Sequence, residues 1–474
     1  MTTDARIGKT ISHYRMTRSV FVYAESVRGE SVRKAMWLLV LVFVGSVWAG
    51  ATMAAQESGA SRAQAATAEA QTATPEKITK YTLPPERDKK ARALAAVRLR
   101  TRLVEMVYGL VVLLVVLWWK LSAKYRDWAE KASAKRFVQV LIFGPLIALS
   151  IDVLSLPTGI YDNWLDQQYG LSVQGWGSWF WDWTKGELLS VIFTIIVVWI
   201  LYAVIRKSRS RWWFYFWIVT IPLVLALIFI QPLVIDPMFH KFEPLQVKDP
   251  ALTAELEKMV NRAGESIPPE RMFWMGAGDK TTELNAYVTG FGASKRIVVW
   301  DNTIAKMNTP QIVFVAGHEM GHYVLHHIPK GIVFAELVLL VVFYVGYRLI
   351  GWVLRRWGPG CGIRELGDLA SYPALLLLVS VLVTLVGPVF STYSRSVEHQ
   401  ADQYGLEVTH GLTPDSGQVA AQAFNILGDV DLSDPDPKRW VIFLFYDHPA
   451  IPDRIQYSLH YDPWANGGAG EFVK

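Results

Sequence analysis

Long apolar stretches dominate the pattern of hydrophobic and polar positions along the chain. Trp, Tyr, Lys and Arg flank several of them, as is typical of residues that anchor a span at the membrane interface. The pattern predicts a polytopic, mainly α-helical protein with about seven transmembrane helices in the lipid bilayer, and it disfavours the alternative of long helices buried in a globular core. The stretches that approach or exceed the length of a span are residues 36–54, 104–121, 137–156, 188–206, 214–232, 331–350 and 374–392.

Composition strengthens this prediction. Apolar residues make up 52% of the 474 residues, and 20 residues are Trp. The net charge of +5 lies in clusters beside the apolar stretches, so it indicates membrane topology and not nucleic-acid binding. The single cysteine, Cys361, excludes an intramolecular disulfide and a set of thiolate zinc ligands.

The amino-terminal part, residues 1–55, joins a polar leader to the first apolar stretch. Arg33 and Lys34 precede that stretch, and Ala49 to Ala51 form a small-residue sequence of the kind that signal peptidase cleaves. A retained transmembrane helix and a cleaved signal peptide are therefore both open. Residues 56–80 are rich in Ala, Thr, Gln, Ser and Glu, which predicts a flexible spacer.

Basic residues between the apolar stretches predict the orientation in the membrane. The connections at residues 120–136, 206–211 and 348–364 are rich in Lys and Arg and lie two crossings apart, so the positive-inside rule marks all three as cytoplasmic. The intervening connection, residues 157–187, is acidic. By alternation, the segment that carries His318 faces away from the cytoplasm.

The sequence His318-Glu319-Met320-Gly321-His322 carries the clearest chemical signal. Residues four apart on a helix share a face, so His318 and His322 can both present a ring nitrogen to one Zn²⁺. Glu319 lies one step round the helix, where a carboxylate can take a proton from a metal-bound water. The apolar run before the motif predicts a helix with Thr309 as its N-cap and Pro310 in its first turn. The pattern is that of a zinc metallopeptidase.

A catalytic zinc site generally has a third protein ligand, and the residues leave two kinds of candidate. Glu398 lies where the last apolar stretch ends, and Asp402 lies four residues later on the same helical face. Asp402 could therefore accept the outer N–H of a zinc-bound imidazole. The histidine alternatives are His326 and His327, directly after the motif helix.

Two further segments could complete such a site. The β-rich runs Tyr287 to Thr289 and Ile297 to Trp300 are separated by glycines, which predicts a β-hairpin before the motif helix. An edge strand there could pair with an extended substrate or could only support the helix. His448 lies in a loop held by Pro449 and Pro452, where it could donate to a developing oxyanion or be structural.

With these segments located, the chain resembles the type I CAAX prenyl protease family, which are integral-membrane zinc metallopeptidases of the gluzincin type. The likeness runs from about residue 80 to 460, and it implies seven transmembrane helices around a large chamber that a zincin-like α+β metalloprotease domain closes at one end. The segments that carry it are IDPMFHKFEPL (235–245), NAYVTG with SKRIVVWD (285–301), GHEMGHYVLHH (317–327), SRSVEHQAD (394–402) and, more weakly, DHPAIPDRI (447–455).

The resemblance also implies roles for single residues. The ligands of one Zn²⁺ per chain would be His318, His322 and Glu398. Glu319 would be the general base, and His448 would stabilise the tetrahedral intermediate. Asp402, His327 and Arg454 would support the ligands. Asn285, Ala286 and Tyr287 would line the strand that binds the substrate.

The activity that the resemblance implies is endoproteolysis of CAAX-box proteins near the carboxyl terminus. A site outside the cytoplasm suggests instead an enzyme of a bacterial inner membrane whose peptide or protein substrate need not be lipidated. A quality-control protease for misfolded membrane or envelope proteins is the alternative, and a transporter or scaffold with structural zinc is a remote one. The expected parts of the chain are the leader and first segment (1–55), the spacer (56–80), an amino-terminal membrane domain (81–236), a zinc metallopeptidase domain with two transmembrane helices (237–460) and a carboxy-terminal tail (461–474).

Overall fold

The computed structural model describes residues 77–290 and 294–473. The predicted leader, the first apolar stretch at 36–54 and most of the predicted spacer at 56–80 lie outside the described residues. The helices are α1 (Pro85–Trp118), α2 (Leu121–Ala132), α3 (Arg136–Tyr169), α4 (Trp176–Lys207), α5 (Trp212–Ile230), α6 (Asp236–Phe239), α7 (Leu245–Lys248), α8 (Pro250–Arg262), α9 (Asp301–Lys306), α10 (Thr309–Val324), α11 (His327–Trp357), α12 (Tyr372–Thr409), α13 (Ser416–Val430), α14 (Arg439–Phe445) and α15 (Ile451–His460).

Six helical segments among the described residues are long and apolar enough to cross a membrane. Five of the remaining six predicted stretches lie within these segments, and the sixth, 104–121, extends three residues beyond Trp118, which confirms the polytopic, mainly α-helical architecture. α5 continues through a π-helical turn, Gln231–Ile235, into α6, so that one span covers Trp212–Phe239. The other spans are α1, α3, α4, α11 and a segment from Leu369 to Thr409 that includes α12.

Buried apolar side chains hold the spans together in the part of the bundle away from the motif helix. Phe143 of α3, Ile205 of α4 and Ile350 of α11 belong to one cluster in which each is at most 1% exposed. Tyr202 is also buried there, and its hydroxyl lies 2.7 Å from the Ser371 Oγ at the start of α12. This hydrogen bond matters because an unpaired hydroxyl would be costly in such an apolar core.

The three basic connections meet at one end of the bundle. Arg126 of α2 forms a buried ion pair with Asp368, which lies just before α12. Arg364 reaches back to Glu130 at 2.9 Å, and Arg209, after α4, lies 3.1 Å from Glu365. The contacts bring connections that are distant in sequence to the same side of the protein.

The described strands form a four-stranded mixed sheet in the order β1-β2-β4-β3. The predicted hairpin is present, because β3 pairs antiparallel with β4 and Tyr287 lies opposite Val298. β2 pairs parallel with β4, and β1 pairs antiparallel with β2. The hairpin is thus half of a larger sheet, and β3 lies at its edge. The strands are β1 (Lys241–Pro244), β2 (Met272–Gly276), β3 (Ala286–Thr289) and β4 (Arg296–Trp300).

A second apolar core joins this sheet to the motif helix. Leu256 and Met259 of α8 are fully buried in it with Ile297 of β4. Phe314 of α10 meets Phe424 of α13 edge to face, with ring centroids 5.3 Å apart. Because α10 is buried on both sides, between the sheet and the carboxy-terminal helices, the positions of its polar residues are fixed.

Candidate metal centre

α10 carries the histidine motif, and its start is set by a capping box. Asn308 Oδ1 accepts from the Gln311 backbone N–H at 3.1 Å, and Gln311 Oε1 accepts from the Asn308 N–H at 2.9 Å. The predicted helix is therefore present, but its N-cap is Asn308 and not Thr309. The box satisfies two backbone groups that the first turn would leave unpaired, and Pro310 occupies a position where no N–H is needed.

Two glycines let α10 pack closely against α12. A Cβ built on Gly317 would lie 2.8 Å from Val408 Cγ1, and one on Gly321 would lie 2.9 Å from Tyr404 Cβ. In return, a Cβ on Gly405 of α12 would lie 3.1 Å from the His318 nitrogen. The glycines bring the two helices near enough for side chains of both to share one metal ion.

Substitution of Gly321 by Ala should therefore destabilise the protein. The added methyl group would force α10 away from α12, at a cost of about 1–3 kcal/mol, which is typical of overpacking. We expect a lower thermal unfolding midpoint and weaker zinc binding. Gly109→Ala is the matched control, because a Cβ on Gly109 of α1 has nothing within 4 Å and Ala favours a helix. Equal stability of the two variants would contradict the close-packing explanation.

Donor atoms of three residues on the two helices converge. His318 Nε2 lies 3.2 Å from His322 Nε2 and 3.3 Å from Glu398 Oε2, and His322 Nε2 lies 3.4 Å from Glu398 Oε1. In a tetrahedral zinc site, bonds of 2.0–2.1 Å put neighbouring ligand atoms about 3.3 Å apart. The three residues therefore fit a zinc ion, and among the described residues they are the group whose donor atoms could hold a metal.

Asp402 and Arg454 support His318 from outside this group. His318 Nδ1 lies 2.9 Å from Asp402 Oδ1, so the carboxylate is placed to favour a proton on Nδ1 and to leave the Nε2 lone pair toward the candidate metal position. Arg454 of α15 donates from Nε to Asp402 Oδ2 at 2.9 Å and stacks 4.1 Å from the centre of the Phe424 ring. Asp402 is 1% exposed and Arg454 is 9% exposed, so the pair lies almost wholly out of water.

His322 has a different set of neighbours. Its Nδ1 lies 3.2 Å from the His327 Nδ1, and the His327 Nε2 lies 3.1 Å from the Gln400 Oε1. Burial lowers the pKa of His322 to about 3, which keeps the ring neutral as a metal ligand must be. His326 lies in the turn between α10 and α11 with a φ of 58°, and it is not part of the converging group. Sequence reasoning missed Gln400.

Glu319 and His448 face the same region. Glu319 Oε1 lies 3.9 Å from His318 Nε2, and burial raises the pKa of Glu319 to about 7. His448 Nε2 lies 3.3 Å from Glu398 Oε2, and its Nδ1 lies 2.9 Å from Asp447 Oδ1. The hydrogen bond with Asp447 raises the pKa of His448, which favours the ring form with a proton to donate.

A cavity of about 1080 Å³ connects these residues with the edge strand. Glu319, His448, Asn285 and Ala286 are among its lining residues. The side chain of Tyr287 lies on the opposite face of β3, where its hydroxyl is 3.5 Å from Asp236 Oδ2. The strand therefore presents the side chain of Ala286 to the cavity, and Tyr287 supports the sheet from behind.

In the described part of the chain, six helical segments that are long and apolar enough to cross a membrane are joined to a domain with this histidine helix, and together they define the class of protein. It is an integral-membrane metalloendopeptidase. The comparisons with known proteins agree: residues 64–241 match the family model described as CAAX prenyl protease N-terminal, five membrane helices, and residues 246–461 match peptidase family M48. The chain belongs to the CAAX prenyl protease family of these peptidases.

Individual relatives show the same likeness. The chain is 36% identical to the uncharacterized metalloprotease YhfN of Bacillus subtilis over 342 residues, which cover 71% of this chain and 77% of that protein. It is 26% identical to the CAAX prenyl protease 1 homolog of Oryza sativa, with the same coverage of both chains. Its fold matches the crystal structure of S. mikatae Ste24p with a TM-score of 0.67 at 22% identity, over 80% of this chain and 89% of that one.

Proposed function

We propose that the protein is a zinc metalloendopeptidase in which His318, His322 and Glu398 hold one Zn²⁺ and Glu319 is the general base. The observation that carries the proposal is the convergence of His318 Nε2, His322 Nε2 and the Glu398 carboxylate, at distances of 3.2, 3.3 and 3.4 Å that suit neighbouring ligand atoms of a tetrahedral zinc site. Asp402, Arg454 and His327 hold the ligand rings from outside.

The side chains around the proposed zinc position have different roles in peptide hydrolysis. When bound, zinc supplies a Lewis acid that polarises a carbonyl oxygen and lowers the pKa of a water. Glu319 takes a proton from the attacking water and returns it to the nitrogen of the leaving amine. His448, oriented by Asp447, donates a hydrogen bond to the carbonyl oxygen as negative charge develops there.

The cavity and the edge strand favour an extended peptide as substrate. Among the described strands β3 has a partner on one side only, so its other edge can pair with a peptide backbone beside Glu319. We propose that a peptide or a protein terminus enters the cavity, either a CAAX-type terminus, as the names of the relatives suggest, or a segment of a misfolded membrane or envelope protein. Assaying a prenylated CAAX peptide beside an unfolded model protein distinguishes the two.

The proposed location is a bacterial inner membrane with the zinc site on the non-cytoplasmic side. The contacts among the three basic connections support it, because they bring the positively charged loops to one end of the bundle. Reporter fusions within residues 250–290 test the orientation. Activity of a periplasmic reporter is expected, and activity of a cytoplasmic reporter alone would reverse it.

Removal of zinc tests the proposed activity. We expect purified protein to contain one zinc per chain, to lose peptide cleavage on treatment with a chelator and to regain it when Zn²⁺ is restored. His318→Ala should bind zinc far more weakly, because it removes one of three ligands. Full activity after complete removal of zinc, or unchanged zinc content in His318→Ala, would overturn the proposal.

A further inference from the structure

The described geometry joins Gln400, His327 and His322 in a chain of two contacts. Gln400 Oε1 lies 3.1 Å from His327 Nε2, and His327 Nδ1 lies 3.2 Å from His322 Nδ1. His322 Nε2, at the other side of its ring, lies 3.4 Å from Glu398 Oε1. Gln400 is therefore connected to the candidate metal position through two imidazole rings, those of His327 and His322.

An amide oxygen can only accept a hydrogen bond, and this determines where the protons lie. With the Gln400 oxygen turned toward His327, as it is in the structure, His327 Nε2 carries the proton that it donates to Gln400. A neutral His327 then has a lone pair on Nδ1, so the proton in the contact between the two rings belongs to His322 Nδ1. A neutral His322 with a proton on Nδ1 has its lone pair on Nε2, the atom that faces His318 and Glu398.

The opposite arrangement would exclude metal binding. If His327 carried its proton on Nδ1, His322 Nδ1 would have to accept, and the His322 proton would lie on Nε2. A protonated nitrogen cannot bind a metal ion, so this tautomer would first have to rearrange. Gln400 in its present orientation disfavours this tautomer, because its oxygen would face an unprotonated His327 Nε2 and both acceptors would lack a donor until the amide turned over.

α12 supports both histidine ligands from different faces. Asp402 Oδ1 lies 2.9 Å from His318 Nδ1, and Asp402 lies one helical turn after Glu398. Gln400 lies between them in sequence, on a different face of α12, and it reaches the start of α11, where His327 lies. The aspartate thus acts on one ring directly, whereas the glutamine acts on the other through a third histidine.

We propose that Gln400 is a positioning residue that fixes the ring tautomer of His322 through His327. The inference rests on the proposed function, since it requires His322 to be a zinc ligand. Partners outside the ligand shell typically change metal affinity by 10- to 100-fold when they are removed. Because Gln400 acts through an intermediate ring, we expect an effect of roughly tenfold, at the lower end of that range.

The experiment measures the dissociation constant for Zn²⁺ alone by competition with a chelator, and the absorption spectrum of the Co²⁺-substituted protein. Gln400→Met keeps the length of the side chain and removes the acceptor, so zinc should bind about tenfold more weakly and the cobalt spectrum should change. Gln400→Glu keeps an acceptor and should retain the affinity of the unaltered protein. Gln456→Met is the matched control, because its side-chain amide donates to the Thr79 carbonyl, and its contact with His460 is made by the backbone carbonyl, which the substitution leaves in place.

A double variant tests whether the effect passes through His327. With His327→Leu already present, Gln400→Met should cause no further loss of affinity. Unchanged affinity in Gln400→Met, equal loss in Gln400→Glu, or additive losses in the double variant would each overturn the proposal. If Gln400→Met does not fold, Gln400→Ala answers the same question. Failure of the proposed function has a different signature, because the unaltered protein would then bind no zinc or His318→Ala would bind it as tightly.

Discussion

Glu319→Gln should abolish peptide cleavage and leave zinc bound. The amide has nearly the size of the carboxylate but cannot take a proton from the attacking water, so we expect a loss of roughly 10²–10⁴-fold in kcat, the range that general-base catalysis contributes. Glu319 is not one of the three converging donors, and its Oε1 lies 3.9 Å from the nearest ring nitrogen of His318. The zinc content should therefore stay at one per chain.

The measurement pairs turnover of a fluorogenic peptide with metal analysis of the same preparation. Glu257→Gln is the matched control, because it makes the same chemical change at an exposed position on α8, and it should have the turnover of the unaltered protein. Turnover in Glu319→Gln within tenfold of that control would rule out Glu319 as the general base. Loss of zinc together with turnover would mean that Glu319 helps to hold the metal.

The features that sequence predicted well are local ones. The six described spans follow from the length of each apolar stretch, and the pairing of β3 with β4 follows from two β-rich runs a few residues apart. The positions of His318 and His322 follow in the same way from the spacing of a single helix. Each of these inferences required the geometry of only one helix or strand, or of two elements that are adjacent in the sequence.

The features that sequence missed depend on contacts between distant elements. β2 pairs with β4 across more than twenty residues, and no turn signal links them. The glycines at 317 and 321 are explained only by Val408 and Tyr404, which lie on another helix. Gln400 is one polar residue among many on α12 until the structure brings His327 to it. The third ligand came from the family resemblance, because spacing alone left His326, His327 and Glu398 open.

Asp402→Leu should both weaken zinc binding and destabilise the fold. It removes the acceptor that orients the His318 ring, which should reduce zinc affinity by about 10- to 100-fold. It also leaves the Arg454 guanidinium buried without its partner, at a cost of about 3–5 kcal/mol. Zinc competition with a chelator and thermal unfolding of the metal-free protein in detergent measure the two effects separately.

Arg454→Met separates the two roles of Asp402. This variant leaves the carboxylate beside His318, so it should lower the unfolding midpoint while zinc affinity stays much closer to that of the unaltered protein. The double variant, Asp402→Leu with Arg454→Met, replaces a buried ion pair by apolar side chains and should recover much of the stability but none of the affinity. If Arg454→Met weakened zinc binding as much as Asp402→Leu, the orientation of His318 would depend on the whole ion pair, and Asp402 alone would not suffice to hold the ring.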